Sequence, residues 1–182
     1  MLGVDPGLTR CGVGVVDVAP DRSAKLVHVG VVRSDPSWPI AERLATIAAG
    51  LREVFDAHSP DVVAVERVFA QQNRTSVMGT AQASGIALLI AGERGIPAAT
   101  HTPSEVKAAV TGYGSADKIQ VQTMVARVLR LDALPKPADA ADALALALCH
   151  AWRGGGPAGA AASASLTPAQ QAWADAERLA RR

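Results

Sequence analysis

The sequence is poor in aromatic residues, in paired cysteines and in long apolar runs. Aromatic residues make up 3% of the 182 residues against 49% hydrophobic ones, so aliphatic side chains must fill most of the interior. The two cysteines, Cys11 and Cys149, lack the CxxC spacing of a zinc or redox site, which favours reduced, buried thiols. No stretch reaches about 18 uninterrupted apolar residues, and no signal peptide precedes the first strand, so we expect a cytoplasmic protein without a membrane span.

An excess of charge of either sign is also absent. The 18 basic and 17 acidic residues give a net charge of +1 and a pI near 7.9, below the pI of about 9 that marks many nucleic-acid binders. If the four acids discussed below bound a metal, 13 acidic residues would remain against 18 basic ones. The surface would then be moderately basic around an acidic centre, which is compatible with a phosphodiester substrate.

What is present is a run of strands followed by alternating strands and helices. The first third holds three β-branched runs whose short connections predict an antiparallel meander: Met1–Asp5, Cys11–Val18 and Leu26–Val32. The remaining predicted elements, in order, are a helix from Pro39 to Ser59, a strand over Val62–Glu66, a helix over Thr75–Arg94, a strand over Ile96–Thr100, a helix over Pro103–Val110 capped by Thr102, a helix from Ser115 as cap to Leu131, and a helix from Ala138 to about Trp152. This order predicts an α/β domain with a mixed five-stranded sheet.

Two segments are predicted along the chain. Residues 1–152 form the α/β domain. Residues 153–182 begin with a glycine- and alanine-rich linker over Gly154–Ser165, and the capping pattern at Thr167 predicts a short terminal helix to Leu179.

Two acids follow predicted buried strands. Asp5 ends the first strand before the turn Pro6-Gly7, and Glu66 ends Val62–Val65. Acids at the carboxyl ends of strands point into the crevice where α/β sheets bind ligands. Asp5 can also be a turn-starting aspartate that bonds its own backbone. Glu66 is harder to explain by folding alone, because a buried acid needs a partner.

Asp139 and Asp142 stand three residues apart on an alanine-rich helix, so both carboxylates lie on one face. Helix-start acids are favoured by the macrodipole, which accounts for Asp139 better than for Asp142. With Asp5 and Glu66 they make an all-oxygen donor set of the kind that Mg²⁺ or Mn²⁺ prefers. We expect Asp142, which lies deeper in the helix, to be a direct ligand and Asp139 to reach metal through water.

Four motifs resemble those of the RuvC Holliday-junction resolvases of the RNase H-like superfamily, in the family's order and spacing. They are GVDPG at Gly3–Gly7, VERVF at Val65–Phe69, KAAVTGYGSADK at Lys107–Lys118 and ADAADALALA at Ala138–Ala147. The resemblance covers about residues 1–152 and implies an RNase H-like fold. It further implies a homodimeric, Mg²⁺-dependent endonuclease that makes paired symmetric nicks in four-way DNA junctions and cooperates with the RuvA–RuvB branch-migration complex.

The resemblance also implies roles for single residues. The acidic tetrad corresponds to Asp5, Glu66, Asp139 and Asp142, which would hold two Mg²⁺ ions for which Mn²⁺ can substitute. The basic residues near the scissile phosphate correspond to Lys107 and Lys118, which otherwise are ordinary helix-surface lysines. Phe69 corresponds to the aromatic that stacks on bases at the opened junction, although a core position is the alternative. The polar residues after it favour an exposed loop along DNA: Gln72, Asn73 and Arg74.

Three other functions fit parts of the pattern. The run Gly3–Thr9 also resembles the phosphate-binding turn of sugar kinases and actin-like ATPases, but 182 residues leave no room for their second lobe. A nuclease for RNA–DNA hybrids would share the superfamily. A non-catalytic module that binds junctions would not need four acids, and the complete tetrad argues against it.

Overall fold

The computed structural model describes residues 1–68 and 74–153, with the side chains of residues 74–76 left out. The described elements are β1 (Leu2–Asp5), β2 (Arg10–Val18), β3 (Ala24–Arg33), α1 (Ile40–His58), β4 (Val63–Glu66), α2 (Arg74–Glu93), β5 (Ala98–His101), α3 (Pro103–Thr111), α4 (Lys118–Val128) and α5 (Ala138–Trp152). Within these residues, no helix is both long and apolar enough to cross a bilayer. The predicted linker and terminal helix lie outside the described residues.

The strands form one sheet in the order β3-β2-β1-β4-β5. The pairs β1–β2 and β2–β3 are antiparallel, whereas β1–β4 and β4–β5 are parallel. The predicted meander and the mixed five-stranded sheet are therefore confirmed. Because β1 and β4 are parallel neighbours, their carboxyl ends meet at the same edge of the sheet.

Helices cover both faces of the sheet. On one face, α1 and α2 pack over β1, β2 and β4, and α1 contributes the periodic residues Ile47, Leu51 and Phe55 to the core. On the other face, α5 lies against the sheet with α3 and α4 beside it. Along α5 every residue from Ala140 to Cys149 is buried except Asp142. The alanine-rich sequence of α5 thus reflects its central position in the fold.

Glycines on β1 and β2 allow α5 to lie directly on the sheet. A Cβ on Gly3 would overlap the carbonyl oxygen of Ala143 and would lie 2.9 Å from the backbone nitrogen of Ala147. A Cβ on Gly12 would overlap the carbonyl oxygen of Asp139. Any larger side chain at these positions would push the helix away. The two glycines therefore set the height of the helical acids above the strands.

The predicted N-terminus of α4 was wrong. The helix begins at Lys118 and is capped by Asp117, not by Ser115. Asp117 accepts a hydrogen bond from the backbone nitrogen of Gln120, whose side chain accepts one in return from the Asp117 nitrogen. This reciprocal capping box satisfies two backbone donors, which a cap at Ser115 does not do. The predicted cap of α3 at Thr102 is confirmed, and the structure adds Glu105 as its partner in a second capping box.

Candidate active site

The two strand acids lie side by side at the edge where β1 and β4 end. Val4 of β1 is in register with Val65 of β4, so Asp5 and Glu66 occupy the next position on neighbouring strands. Both strands are fully buried up to these residues, and both acids are partly exposed. The parallel pairing of β1 and β4 therefore places the two acids next to each other, as the sequence predicted.

The helical acids lie over the same edge of the sheet. Gly12 of β2 pairs with Asp5 of β1, and the backbone of Asp139 rests on Gly12. Asp142 follows one turn later along α5. The first turn of α5 thus lies above the end of β1, next to Asp5.

The electrostatics of the strand acids show that the four carboxylates share one region. Burial raises the pKa of Asp5 to about 7, with further contributions from the charges of Glu66, Asp142 and Asp139. Burial also raises the pKa of Glu66, and the charge of Asp142 adds to the effect. Repulsion among acids that are partly shielded from water is relieved by a proton or by a cation. Near pH 7 the site therefore favours the binding of positive charge.

Each helical acid has a cation from another element in contact with it. The Arg10 guanidinium at the start of β2 lies 2.6 Å from Asp139 Oδ2, and Lys118 Nζ of α4 donates to Asp142 Oδ2 at 2.7 Å. The hydrogen bond to Asp142 is the main cause of the raised pKa of Lys118. The side chains of Asp139 and Asp142 are 26% and 27% exposed. The exposed fraction of the side chain therefore does not indicate which of the two acids would bind a metal directly.

A pocket of about 230 Å³ opens beside these acids. Its charged lining consists of Glu66, Asp142, Lys107 and Lys118, and apolar residues of α3, α4 and α5 complete the walls. The pocket brings both predicted lysines next to two of the predicted acids. Carboxylates for a cation and ammonium groups for an anion in one pocket are suited to a phosphodiester held next to metal.

The donor chemistry fits a hard divalent cation, but the side chains are not arranged around one. Among residues 1–68 and 74–153, no three acidic, histidine or cysteine side chains converge closely enough to enclose an ion. Asp139 Oδ2 is inaccessible to water and has no partner with hydrogen-bond geometry, although the Arg10 nitrogen is in ionic contact with it. The orphaned oxygen and the repulsion at Asp5 are both satisfied by a cation, so the residues fit the metal that the tetrad implies.

The structure does not describe the side chains of the predicted DNA-binding loop. Phe69, Gln72 and Asn73 lie outside the described residues, and Arg74 is the first residue of α2 with its side chain left out. Arg10, by contrast, contacts the tetrad but was not predicted. The sequence carries no signal for it, because the contact joins β2 to α5 across 129 positions of the chain.

Comparison with known proteins agrees with this architecture. The model of the family described as crossover junction endodeoxyribonuclease RuvC matches residues 1–150. The protein of that name from Paenarthrobacter aurescens is 62% identical and the match covers 100% of this chain and 97% of the relative. The one from Leifsonia xyli is 60% identical, covering 98% and 91%. The solved structure of T. thermophilus RuvC in complex with Holliday junction substrate is 39% identical with a TM-score of 0.79, covering 84% and 92%. The likeness confirms the predicted RNase H-like resolvase fold.

Proposed function

The chain belongs to the RuvC family of crossover junction endodeoxyribonucleases, and from that premise we propose that Asp5, Glu66, Asp139 and Asp142 are the Mg²⁺ ligands with which it cuts Holliday junctions. Members of the RuvC family are metal-dependent nucleases that resolve four-way DNA junctions. The assignment of these four acids rests on their shared electrostatics at one edge of the sheet. Mn²⁺ would satisfy the same oxygen donors.

The chain's residues divide the chemistry between them. The four acids would hold two divalent cations, which would supply an activated water and stabilisation of the leaving 3′-oxygen. Asp5 is the most central acid, because the charges of all three others act on it. Glu66 and Asp142 face the pocket in which we place the scissile phosphate. Lys107 and Lys118 line the same pocket and would balance the charge that develops on the phosphorane.

Lys118 has a second task in this proposal. In the structure it neutralises Asp142 at 2.7 Å, and its side chain is 54% exposed. An exposed lysine loses little by changing partners, so its ammonium group can move from the carboxylate to the phosphate when DNA enters. Lys107 has no acidic partner among the described residues and is free to contact the phosphate directly.

The loop after β4 is the proposed DNA contact. Phe69 would stack on a base at the opened junction centre, for about 1–3 kcal/mol. The polar residues that follow, Gln72, Asn73 and Arg74, would contact the DNA backbone. Arg74 is the first residue of α2, so the segment between β4 and α2 joins the active-site edge to that helix along the chain.

The substrate specificity is tested with purified protein and defined DNA. With Mg²⁺, we expect symmetric paired nicks in a synthetic four-way junction and little cutting of linear duplex or RNA–DNA hybrid of the same sequence. The products should carry 5′-phosphate and 3′-hydroxyl ends that ligase seals without further treatment. Cleavage of the hybrid in preference to the junction would contradict the proposal, and so would ATP hydrolysis without junction cutting.

We propose that the protein forms a homodimer in which the two copies contact each other through α2. Along this helix one stripe of small and apolar residues is exposed: Met78, Ala81, Gly85, Leu88 and Leu89. Met78 is 63% and Leu89 57% exposed, which is unusual for residues of this size. A junction is nearly two-fold symmetric, so a second copy on this stripe would give one active site for each of the two strands cut.

Leu89→Glu should convert the dimer into a monomer, because a carboxylate buried in an apolar interface is left without a partner. Light scattering after gel filtration should give 18.7 kDa for this variant and twice that mass for the wild type. Val27→Glu is the matched control, since Val27 is 44% exposed on β3, away from the stripe. A Leu89→Glu protein that stays dimeric would place the interface elsewhere.

Further partners follow from the same proposal. An enzyme that acts on four-way junctions shares its substrate with the RuvA–RuvB branch-migration complex, and we propose that it works with that complex on DNA in the cytoplasm. Co-assembly of all components on one labelled junction is the direct measurement. Exclusion of this protein from junctions occupied by the complex would contradict the partnership.

A further inference from the structure

The contact between Arg10 and Asp139 is outside the roles assigned so far. Arg10 is the first residue of β2, and its guanidinium reaches Asp139 Oδ2 on α5 at 2.6 Å. That oxygen is shielded from water and has no other partner. Arg10 is therefore the group that neutralises this carboxylate in the absence of another cation.

The distribution of cations over the tetrad is uneven. Asp139 and Asp142 each have a basic side chain in contact, from Arg10 and Lys118. Asp5 and Glu66 have no ion pair within the part of the chain that the structure describes. The helical acids are thus already compensated, and the strand acids are not. A divalent cation entering between the two pairs would meet free carboxylates on the strand side and occupied ones on the helix side.

We propose that Arg10 is a positioning residue that holds Asp139 in the metal-free enzyme and competes with the divalent cation for that carboxylate. This inference rests on the proposed function, since it takes Asp139 to be a metal ligand. When the cation binds, Asp139 exchanges its partner and Arg10 turns outward. Arg10 thereby sets how much cation is needed to complete the site.

Three features of the contact favour exchange over a permanent support. The short contact joins an Arg10 nitrogen to Asp139 Oδ2 without the two parallel hydrogen bonds of the bidentate fork that makes arginine pairs rigid. The contact is short but lacks hydrogen-bond geometry. The Arg10 side chain is 43% exposed, so its guanidinium can return to water without desolvation. A permanent support would be expected to be bidentate, well aligned and buried.

The test measures Mn²⁺ binding to the metal-free, DNA-free protein by the electron paramagnetic resonance signal of free Mn²⁺. Arg10→Gln removes the competing charge and should bind Mn²⁺ about three- to tenfold more tightly than wild type. Arg10→Lys keeps the charge and should stay within about twofold of wild type. The matched control is Arg33→Gln. Arg33 is opposite Arg10 on β3 and has no acidic partner among the described residues, so its loss should also change affinity by about twofold at most.

Thermal unfolding provides a second readout that a purely structural role would not give. In chelator, Arg10→Gln should melt below wild type, because Asp139 is left without a partner. At saturating Mn²⁺ the difference should disappear, because the cation replaces Arg10. Unchanged or weaker Mn²⁺ binding by Arg10→Gln would overturn the proposal, and so would a melting difference that persists at saturating Mn²⁺.

Failure of this inference is distinguishable from failure of the proposed metal site. If Asp5→Asn leaves the Mn²⁺ affinity of the otherwise wild-type protein unchanged, the tetrad is not the metal site and both proposals fall. If Asp5→Asn abolishes Mn²⁺ binding and Arg10→Gln does not tighten it, the metal site stands and only the role of Arg10 is overturned.

Discussion

Gly3→Ala should reduce the free energy of unfolding by at least about 3 kcal/mol and abolish junction cleavage in the protein that remains folded. The added Cβ overlaps the carbonyl oxygen of Ala143 and lies 3.0 Å from its carbonyl carbon. These are backbone atoms of the central helix, so no side chain can turn away to make room. The helix must rise from the sheet, which breaks packing along α5 and lifts Asp139 and Asp142 from Asp5.

Gly92→Ala is the matched control for this prediction. Gly92 lies in α2, and a Cβ there has no other atom within 4 Å. The same substitution should be neutral or stabilise the protein by about 0.5–1 kcal/mol, as expected for alanine in a helix. Chemical denaturation of both variants measures the difference. A Gly3→Ala protein as stable and active as Gly92→Ala would show that the height of α5 over the sheet does not matter.

The sequence was sufficient to predict the strands, their antiparallel and parallel grouping, and the positions of the strand acids. Short β-branched runs that end in Asp5 and Glu66 carry this information locally, and the parallel rule places both ends at one edge. The spacing of Asp139 and Asp142 on an alanine-rich segment predicted one helical face with two acids. The family resemblance predicted that Lys107 and Lys118 belong to the same site, and both residues line the pocket.

Other features of the site depend on contacts between distant residues, which no local pattern encodes. Arg10 reaches Asp139 because Gly12 lets α5 lie directly on β2, and Arg10 is outside all four motifs. The side chains of Asp139 and Asp142 are 26% and 27% exposed, so the prediction that Asp142 binds metal directly and Asp139 through water stays a prediction. The start of α4 was misplaced because Ser115 and Asp117 are both good caps. Only the reciprocal bonds of Gln120 select Asp117.

Asp5→Asn should lower the rate of junction cleavage on the order of 10³-fold at saturating Mg²⁺. Asp5 is the acid on which the charges of the other three converge, so its loss removes the most central ligand. Asparagine keeps the size of the side chain and one carbonyl oxygen, and it removes the negative charge. The fold should therefore survive the substitution while the metal site does not.

The same substitution should change the dependence of stability on pH. Because the pKa of Asp5 is about 7 in the folded protein against its ordinary value of 3.8, the folded protein binds the proton more tightly than the unfolded chain does. In chelator, wild-type stability should therefore fall as the pH rises from about 4 to about 7, by at most about 4 kcal/mol from this group. Asp5→Asn cannot ionise and should lose most of this decline, and added Mg²⁺ should reduce it in the wild type.

The role of the tetrad is tested most directly by measuring junction binding and junction cleavage separately in the Asp5→Asn variant. One labelled four-way junction is titrated with wild type and variant in a gel-shift assay without metal, and the same samples are then given Mg²⁺ and followed for cleavage. We predict junction affinity within about threefold of wild type together with loss of both nicks. Near-normal cleavage by a folded Asp5→Asn protein would contradict the account, because the central acid would then hold no metal that the reaction needs.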